Sequence, residues 1–221
     1  MKRIFWVILP MLLLVGCQHS KQQQSAISKN KQRWNQQTRN TKVKYHPSFG
    51  MMDYSNEPLN WHDLKKKNDS IILGTVIDYK KNKRQAIFPT TTVQVKVDKV
   101  LSGKGTSHYI TTTFPSGFGF ADEIEMDIKG DPSKNITHKE YLYKKNSFPL
   151  PKIGGKFVTG IVKNRREYQV SAPLFNFWVL RNTHLKLNNL DLRSIQNDEK
   201  VDKLQDLTEI LDCKLNSGYR K

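Results

Sequence analysis

The chain has 221 residues and is strongly basic, with 37 Lys and Arg against 20 Asp and Glu and a formal net charge of +17. Its two cysteines disfavour both a disulfide framework and a cysteine-built zinc site. The length suits one folded domain with a tail, and the charge favours anionic partners such as phospholipid headgroups, envelope polymers or nucleic acid, although excess lysine can also serve solubility alone.

The N-terminus has the layout of a secretory signal. Two cations precede an apolar run over residues 4–15, which Pro10 interrupts and which ends in Gly16 and Cys17. The run is short for a membrane span. Its last residues resemble the lipobox of bacterial lipoproteins, in which the cysteine receives a diacylglyceryl group and becomes the mature N-terminus. We therefore expect a signal peptide over residues 1–16 and a covalent acyl lipid, such as palmitate, at Cys17. A signal peptide with a chance cysteine is the alternative.

The resemblance also implies a location. A lipoprotein of this kind is held at the extracellular face of the bacterial cytoplasmic membrane, or in the outer envelope or periplasm of a Gram-negative cell. No other cofactor is expected.

The segment after Cys17 is polar and basic. Residues 18–46 are rich in Gln, Asn, Ser and Lys and contain no acid. Such a composition buries too little apolar surface to offset its ordering entropy, so we predict a disordered tether over residues 17–54. Trp34, its one large apolar side chain, is either incidental or placed at the membrane interface. The cations of the segment are candidate polyanion contacts: Lys21, Lys29, Lys31, Arg33, Arg39, Lys42 and Lys44.

The folded part is predicted to begin with a short helix. Asn60 is a suitable N-cap for a helix that ends around Lys67. The β-branched run that follows, residues 70–79, is typical of a buried strand. Further strands are predicted by alternation and turn signals over residues 90–101, 108–114, 118–128, 156–163 and 167–181. A basic loop after the first strand adds candidate polyanion contacts at Lys80, Lys81, Lys83 and Arg84.

The C-terminal segment, residues 186–221, carries a predicted amphipathic helix over about 198–214. Asn197 is its expected N-cap and Gly218 its end. Four residues at helical spacing mark the face that we expect to be buried: Val201, Leu204, Thr208 and Leu211.

The middle of the chain resembles a known group of proteins. Residues 68–76 (NDSIILGTV), 92–104 (TVQVKVDKVLSGK) and 149–158 (PLPKIGGKFV) are similar to uncharacterised bacterial lipoproteins and secreted proteins with the patterns S-D-x-I-V-x-G-x-V and V-x-V-x-x-V-L-K-G. The match covers residues 60–180, with Ser102 where lysine is usual. It implies a mainly β fold: a small curled antiparallel β-barrel, OB-like, over residues 55–185, with the short helix before it. It implies little about function.

Motifs for catalysis are absent from the sequence. There is no Gly-x-Ser-x-Gly nucleophile elbow and no pair of histidines at metal-ligand spacing. Cys213 lies late in the last predicted helix, as expected of an incidental thiol. Glu140 and Glu167 are candidates for the paired carboxylates that glycoside hydrolysis needs. One acidic patch is a weak metal candidate and is otherwise a solvated strand face: Asp122, Glu123, Glu125 and Asp127.

These patterns predict a membrane-anchored bacterial surface lipoprotein with a non-catalytic binding role at the cell envelope, toward a polyanion or a protein partner. One alternative is a single-stranded nucleic-acid-binding OB-type module, because aromatic residues alternate with lysines in the predicted barrel. These aromatics are Tyr79, Phe88, Tyr109, Phe114, Phe118 and Phe120. A cryptic envelope hydrolase is the other alternative.

Overall fold

The computed structural model describes residues 5–46, 57–82, 89–124, 138–145, 147–165, 167–189 and 198–217, with the side chains of the first helix from Gln22 onward. Its elements in chain order are α1 (Phe5–Arg39), β1 (Val43–His46), α2 (Trp61–Lys67), β2 (Ser70–Lys81), β3 (Thr90–Gly103), β4 (Tyr109–Pro115), β5 (Gly117–Phe120), β6 (Glu140–Lys145), β7 (Lys156–Asn164), β8 (Glu167–Gln169), β9 (Phe177–Arg181), β10 (His184–Leu187) and α3 (Asp198–Ser217).

The N-terminal segment is ordered where disorder was expected. Residues 17–39 belong to the continuous helix α1 and residues 43–46 form β1, so the predicted tether is wrong for both stretches. Residues 47–54 lie outside the part that the structure describes. The physical reason is tertiary, because Ile27 and Trp34 of α1 pack against the hydrophobic core. No helix in the described ranges carries an apolar stretch long enough to cross a membrane.

The larger of the two sheets is antiparallel and contains most of the predicted strands. Its order is β10-β9-β7-β2-β3-β4, and β8 pairs with β7 beside this path. β2 is buried along ten of its residues, since β3 and β7 flank it and α1 crosses it. The mainly β prediction is therefore confirmed, as is the helix α2, whose N-cap Asn60 accepts a hydrogen bond from the Asp63 amide at 2.9 Å. The described strands form open sheets, without a closed barrel among them.

A smaller sheet, in the order β1-β6-β5, was not anticipated. β1 lies parallel to β6, with Val43 opposite Leu142 and His46 opposite Lys145. β6 falls in a lysine-rich stretch, residues 138–146, that lacks alternation. The segment after α1 therefore adds a strand to the folded domain.

Two predicted strands are shorter than expected. The strand predicted over 118–128 ends at Phe120, and residues 121–124 are helical. The strand predicted over 167–181 is divided into β8 and β9, because Ala172 has a positive φ of 43° and the buried Asn176 turns its amide onto the backbone of Gly160. A local apolar run does not reveal such a break.

The predicted boundary between residues 185 and 186 falls inside a strand. β10 crosses it and pairs with β9, and α3 packs on β10. The C-terminal helix is confirmed, with Asn197 and Gly218 outside the described ranges. Its buried residues share a heptad-like spacing and belong to the main core: Leu204, Leu207, Leu211 and Leu215.

Candidate functional site

Helix α1 is held on the sheet by polar contacts along one face. The Arg33 guanidinium forms an ion pair with the Asp78 carboxylate, which is 5% exposed, and the Asn30 side-chain amide donates to the Ile77 carbonyl at 3.1 Å. Two turns before Asn30, Gln23 Oε1 accepts a hydrogen bond from Lys96 Nζ at 3.1 Å. These contacts place the C-terminal half of α1 across the outer face of β2 and β3.

Aromatic packing fixes the same half of the helix. The Trp34 ring lies edge-on to Tyr79, with ring centroids 5.1 Å apart, and edge-on to Phe118 at 5.6 Å. Near it, a Cβ atom on Gly154 would lie only 3.1 Å from Ile27 Cγ2, so α1 approaches the loop before β7 closely. Edge-to-face contacts of this kind add about 0.5–1.5 kcal/mol each to the burial of the rings.

A pocket of about 750 Å³ opens between α1, the smaller sheet and the loop before β7. A volume of this size suits a small organic ligand. Its walls are largely apolar and aromatic, and its lining includes Trp34, Tyr79, Leu142, Phe148, Leu150 and Ile153. Each of the three elements contributes to the lining, so the pocket exists only while α1 is docked.

The charged groups that the structure describes in this pocket have one sign. No carboxylate is among the described lining residues, whereas four lysines are: Lys31, Lys144, Lys145 and Lys152. Three of them are exposed, whereas Lys145 is half-buried, and burial lowers the pKa of its ammonium group. Within the described part of the chain, no carboxylate pairs with Lys145. The pocket is therefore electropositive over an apolar lining.

A strained residue lies in the wall beside Lys145. Ser116 has a φ of 109°, in the region that favours glycine, at the corner where the chain passes from β4 to β5. Its Oγ accepts a hydrogen bond from the Lys145 amide at 2.9 Å, and its carbonyl accepts one from Thr91 Oγ1 at 2.7 Å. Among the described residues the Ser116 hydroxyl hydrogen has no acceptor. Backbone strain costs stability, and it is often found at binding sites.

The loop that forms the opposite wall is fixed by buried hydrogen bonds. The Tyr79 hydroxyl donates to the Pro151 carbonyl at 2.5 Å, and the Asn188 side chain donates to the Pro149 carbonyl at 2.8 Å. Burial raises the pKa of Tyr79, so this phenol stays protonated and keeps its donor role. The pocket is consequently pre-formed on that side.

The cations predicted from sequence have different environments. Lys29, Lys31, Arg39 and Lys42 are exposed along or just after α1, whereas Arg33 is paired with Asp78. Lys44 lies over the Tyr141 ring, with Nζ 4.2 Å from the centroid. Cys17 and Lys21 lie within α1, and only their backbone is described.

The second group of predicted cations lies at the end of β2. Lys80 is exposed there, and Lys81 pairs with Glu140 and lies over the Phe118 and Phe120 rings. Lys83 and Arg84 fall outside the described ranges.

The acidic patch is not the strand face that was expected. Asp122 and Glu123 lie in the helical turn after β5, while Glu125 and Asp127 are outside the described residues. Asp122 Oδ2 lies 2.8 Å from His138 Nδ1, and this hydrogen bond lowers the pKa of the carboxyl group. In the described ranges no three metal-binding side chains come together.

The aromatic residues proposed to stack on bases are mostly committed to the core. Tyr79, Phe114 and Phe118 are buried, and Tyr109 is half exposed on the edge strand β4. Phe120 stacks on His138 at 4.1 Å between ring centroids, and Phe88 is outside the described residues. The described surface thus lacks the row of open aromatic faces that single-strand binding uses.

Comparison with known protein families, with curated proteins and with solved structures finds no match to this chain. The residues and their geometry are therefore the basis for inferring function.

Sequence reasoning missed the pocket, although one signal was present. Gln23, Ile27, Asn30, Trp34 and Thr38 recur every three or four residues and form the less exposed face of α1. Only two of the five are apolar, so the stripe does not stand out in a hydrophobicity pattern.

Proposed function

We propose that this chain is a lipid-anchored bacterial envelope protein, acylated at Cys17, with a non-catalytic binding role toward an anionic partner. The observation that carries the binding role is the lysine-lined pocket beneath α1, together with the exposed cations of that helix. A protein-partner role at the envelope remains the second form of the same proposal. The resemblance to uncharacterised lipoproteins supports the location.

The geometry of α1 suits an anchored protein. About 24 Å of helix separates Cys17 from Arg33, at roughly 1.5 Å per residue. An acyl chain at Cys17 would therefore hold the domain close to the bilayer on a helical spacer rather than on a coil. Lys29, Arg39 and Lys42 are exposed along or just after this spacer, and each cation near an anionic surface adds up to about 1 kcal/mol of attraction.

We further propose that the larger sheet is an incompletely closed, OB-like barrel. β8 pairs with β7 and also lies against β4, so the sheet curls until its two sides approach each other. This arrangement supports the resemblance at the level of fold.

The anchoring proposal is tested by fractionation and by labelling with radioactive palmitate in a Gram-positive host. We expect the wild-type chain to incorporate label and to stay in the membrane fraction in 1 M salt. Cys17→Ser should lose the label and should either leave the membrane fraction or remain unprocessed, with residues 1–16 still attached and the chain correspondingly longer.

Cys213→Ser is the matched control, because it removes the other thiol, which is exposed on α3. It should behave as wild type in both assays. Incorporation of label by Cys17→Ser, or membrane retention of this variant as a processed chain, would show that the anchoring proposal is wrong.

A further inference from the structure

The pocket beneath α1 has features of a ligand site that the net positive charge of the chain does not explain. Most lysines in the described part of the chain are exposed to solvent, where charge needs no partner. Lys145 instead lies half-buried in a pocket wall, at the end of β6, without a carboxylate among the described residues around it. Partial burial makes a counter-charge favourable, so this lysine is a candidate contact for an anionic ligand.

A second polar group lies in the same wall. Ser116 is buried, and its Oγ accepts a hydrogen bond from the Lys145 amide, so its hydroxyl can still donate one hydrogen bond to a ligand. Ser116 also has a positive φ, a backbone conformation that glycine would adopt without strain. Lys145 and Ser116 both line the pocket, and the hydrogen bond from the Lys145 backbone amide to Ser116 Oγ joins them.

The rest of the lining is complementary to an apolar group. Trp34, Phe148, Leu150 and Ile153 provide carbon surface, and the exposed Lys144 contributes a further cation at the rim. Lysine ammonium groups bind phosphate as point charges, and a hydroxyl donor adds a directional contact.

We infer that this pocket binds an organic phosphate, with the phosphate at Lys145 and Ser116 and an apolar group against Trp34 and Phe148. The inference rests on the proposed anionic binding role of this pocket and not on lipid anchoring at Cys17, so failure of the palmitate labelling leaves it standing. Two sources have this chemistry, namely the phosphate headgroup of an anionic lipid and a soluble phosphate ester. Because α1 forms one wall, an occupied site also strengthens the attachment of α1 to the domain.

The test is calorimetric titration of the full chain in phosphatidylcholine nanodiscs, with empty nanodiscs as the blank. Hexyl phosphate is the probe, inorganic phosphate supplies the headgroup alone, and hexylammonium reverses the charge. We expect hexyl phosphate to bind at least tenfold more tightly than inorganic phosphate, and hexylammonium not to bind. Equal affinity for the two phosphates, binding of hexylammonium, or no binding of hexyl phosphate would overturn the inference.

Substitutions connect the binding to the named residues. Lys145→Met keeps the side-chain stem and should weaken hexyl phosphate binding at least tenfold, whereas Lys145→Arg should restore most of it. Lys186→Met removes an exposed lysine from β10 and should bind as wild type. Ser116→Gly relieves the strained φ, removes the hydroxyl and should weaken binding severalfold.

The unfolding midpoint separates a binding role from a structural one. Because burial disfavours the ammonium form of Lys145, Lys145→Met should not lower the midpoint in the absence of probe. Wild-type affinity in Lys145→Met would overturn the inference. Nanodiscs that contain phosphatidylglycerol distinguish the two sources of the phosphate. Competition with hexyl phosphate indicates a lipid headgroup, and lack of competition indicates a soluble ester. Either result is consistent with a phosphate site in this pocket.

Discussion

Helices α1 and α3 both pack on the sheets of this protein, and they do so by different chemistry. Helix α3 contributes four buried leucines to the main core, whereas the described half of α1 contributes Ile27, Trp34 and a series of polar contacts. Each helix also has one ion pair to a buried carboxylate, Lys200–Glu57 for α3 and Arg33–Asp78 for α1. α3 is therefore part of the folding unit, whereas α1 is a docked element whose position depends on a few specific bonds.

The largest expected effect is in α3. Leu207→Ala removes a side chain that is 0% exposed, so it should lower the free energy of unfolding by about 2–5 kcal/mol. Urea denaturation followed by circular dichroism measures this change. Ile210→Ala, on the exposed face of the same helix, should cost well under about 1 kcal/mol. Similar losses for the two variants would contradict a core role for α3.

An intermediate effect is expected in α1, and it should be local. Arg33→Leu leaves the Asp78 carboxylate buried without its partner, which costs about 1–3 kcal/mol of docking free energy. Amide hydrogen exchange should accelerate over residues 22–39, while the urea midpoint of the sheet changes little. Arg39→Leu, which removes an exposed arginine from the same helix, should leave exchange at the wild-type rate.

A second substitution at the same pair tests the physical cause. Adding Asp78→Asn to Arg33→Leu replaces the stranded carboxylate by a neutral amide and should restore part of the protection. If Arg33→Leu instead unfolded the whole chain, the distinction between a docked helix and a core helix would be wrong.

The smallest effect concerns the ion pair of α3. Burial raises the pKa of Glu57 above its ordinary value of 4.5, although Lys200 opposes this shift. Among the described residues, Glu57 Oε1 has no hydrogen-bond partner. The folded state therefore holds the proton more tightly than the unfolded state. The stability that Glu57 contributes is full below pH 4.5 and is lost as the pH rises through the raised pKa.

Glu57→Gln removes this dependence. Relative to wild type, the variant should gain stability as the pH increases from 4 to 7, measured by urea titration at each pH. Glu199→Gln is the control with the opposite sign, because a hydrogen bond from Lys203 lowers the pKa of Glu199. A pH-independent difference between Glu57→Gln and wild type would show that Glu57 is not desolvated in the folded protein.

Prediction from sequence succeeded where local pattern and tertiary environment agree. The strand β3 alternates, and Thr91, Val93 and Val95 are all buried as their period requires. Asn60 caps α2 because its side chain reaches the Asp63 amide three residues along the same chain. Neither result needs a distant partner.

Prediction failed where a distant partner decides the conformation. The stretch after Cys17 lacks the apolar content of a stable helix, yet Asp78, Tyr79 and Phe118 give Arg33 and Trp34 a place to dock. β6 lacks alternation and becomes a strand because it lies between β1 and β5. The divided strand after β7 depends on Asn176, whose amide bonds Gly160 sixteen residues away.

The sequence alone determined the mainly β character, the position of most strands, the helices α2 and α3 and the net charge, because these follow from local periodicity, capping and composition. Tertiary structure decided which cations remain in solvent and which one pairs with Asp78. It also brought Lys145 and Ser116 into one pocket wall beneath α1. The pocket combines residues more than a hundred positions apart, from three elements whose contacts form only when the chain is folded. No local pattern carries that information.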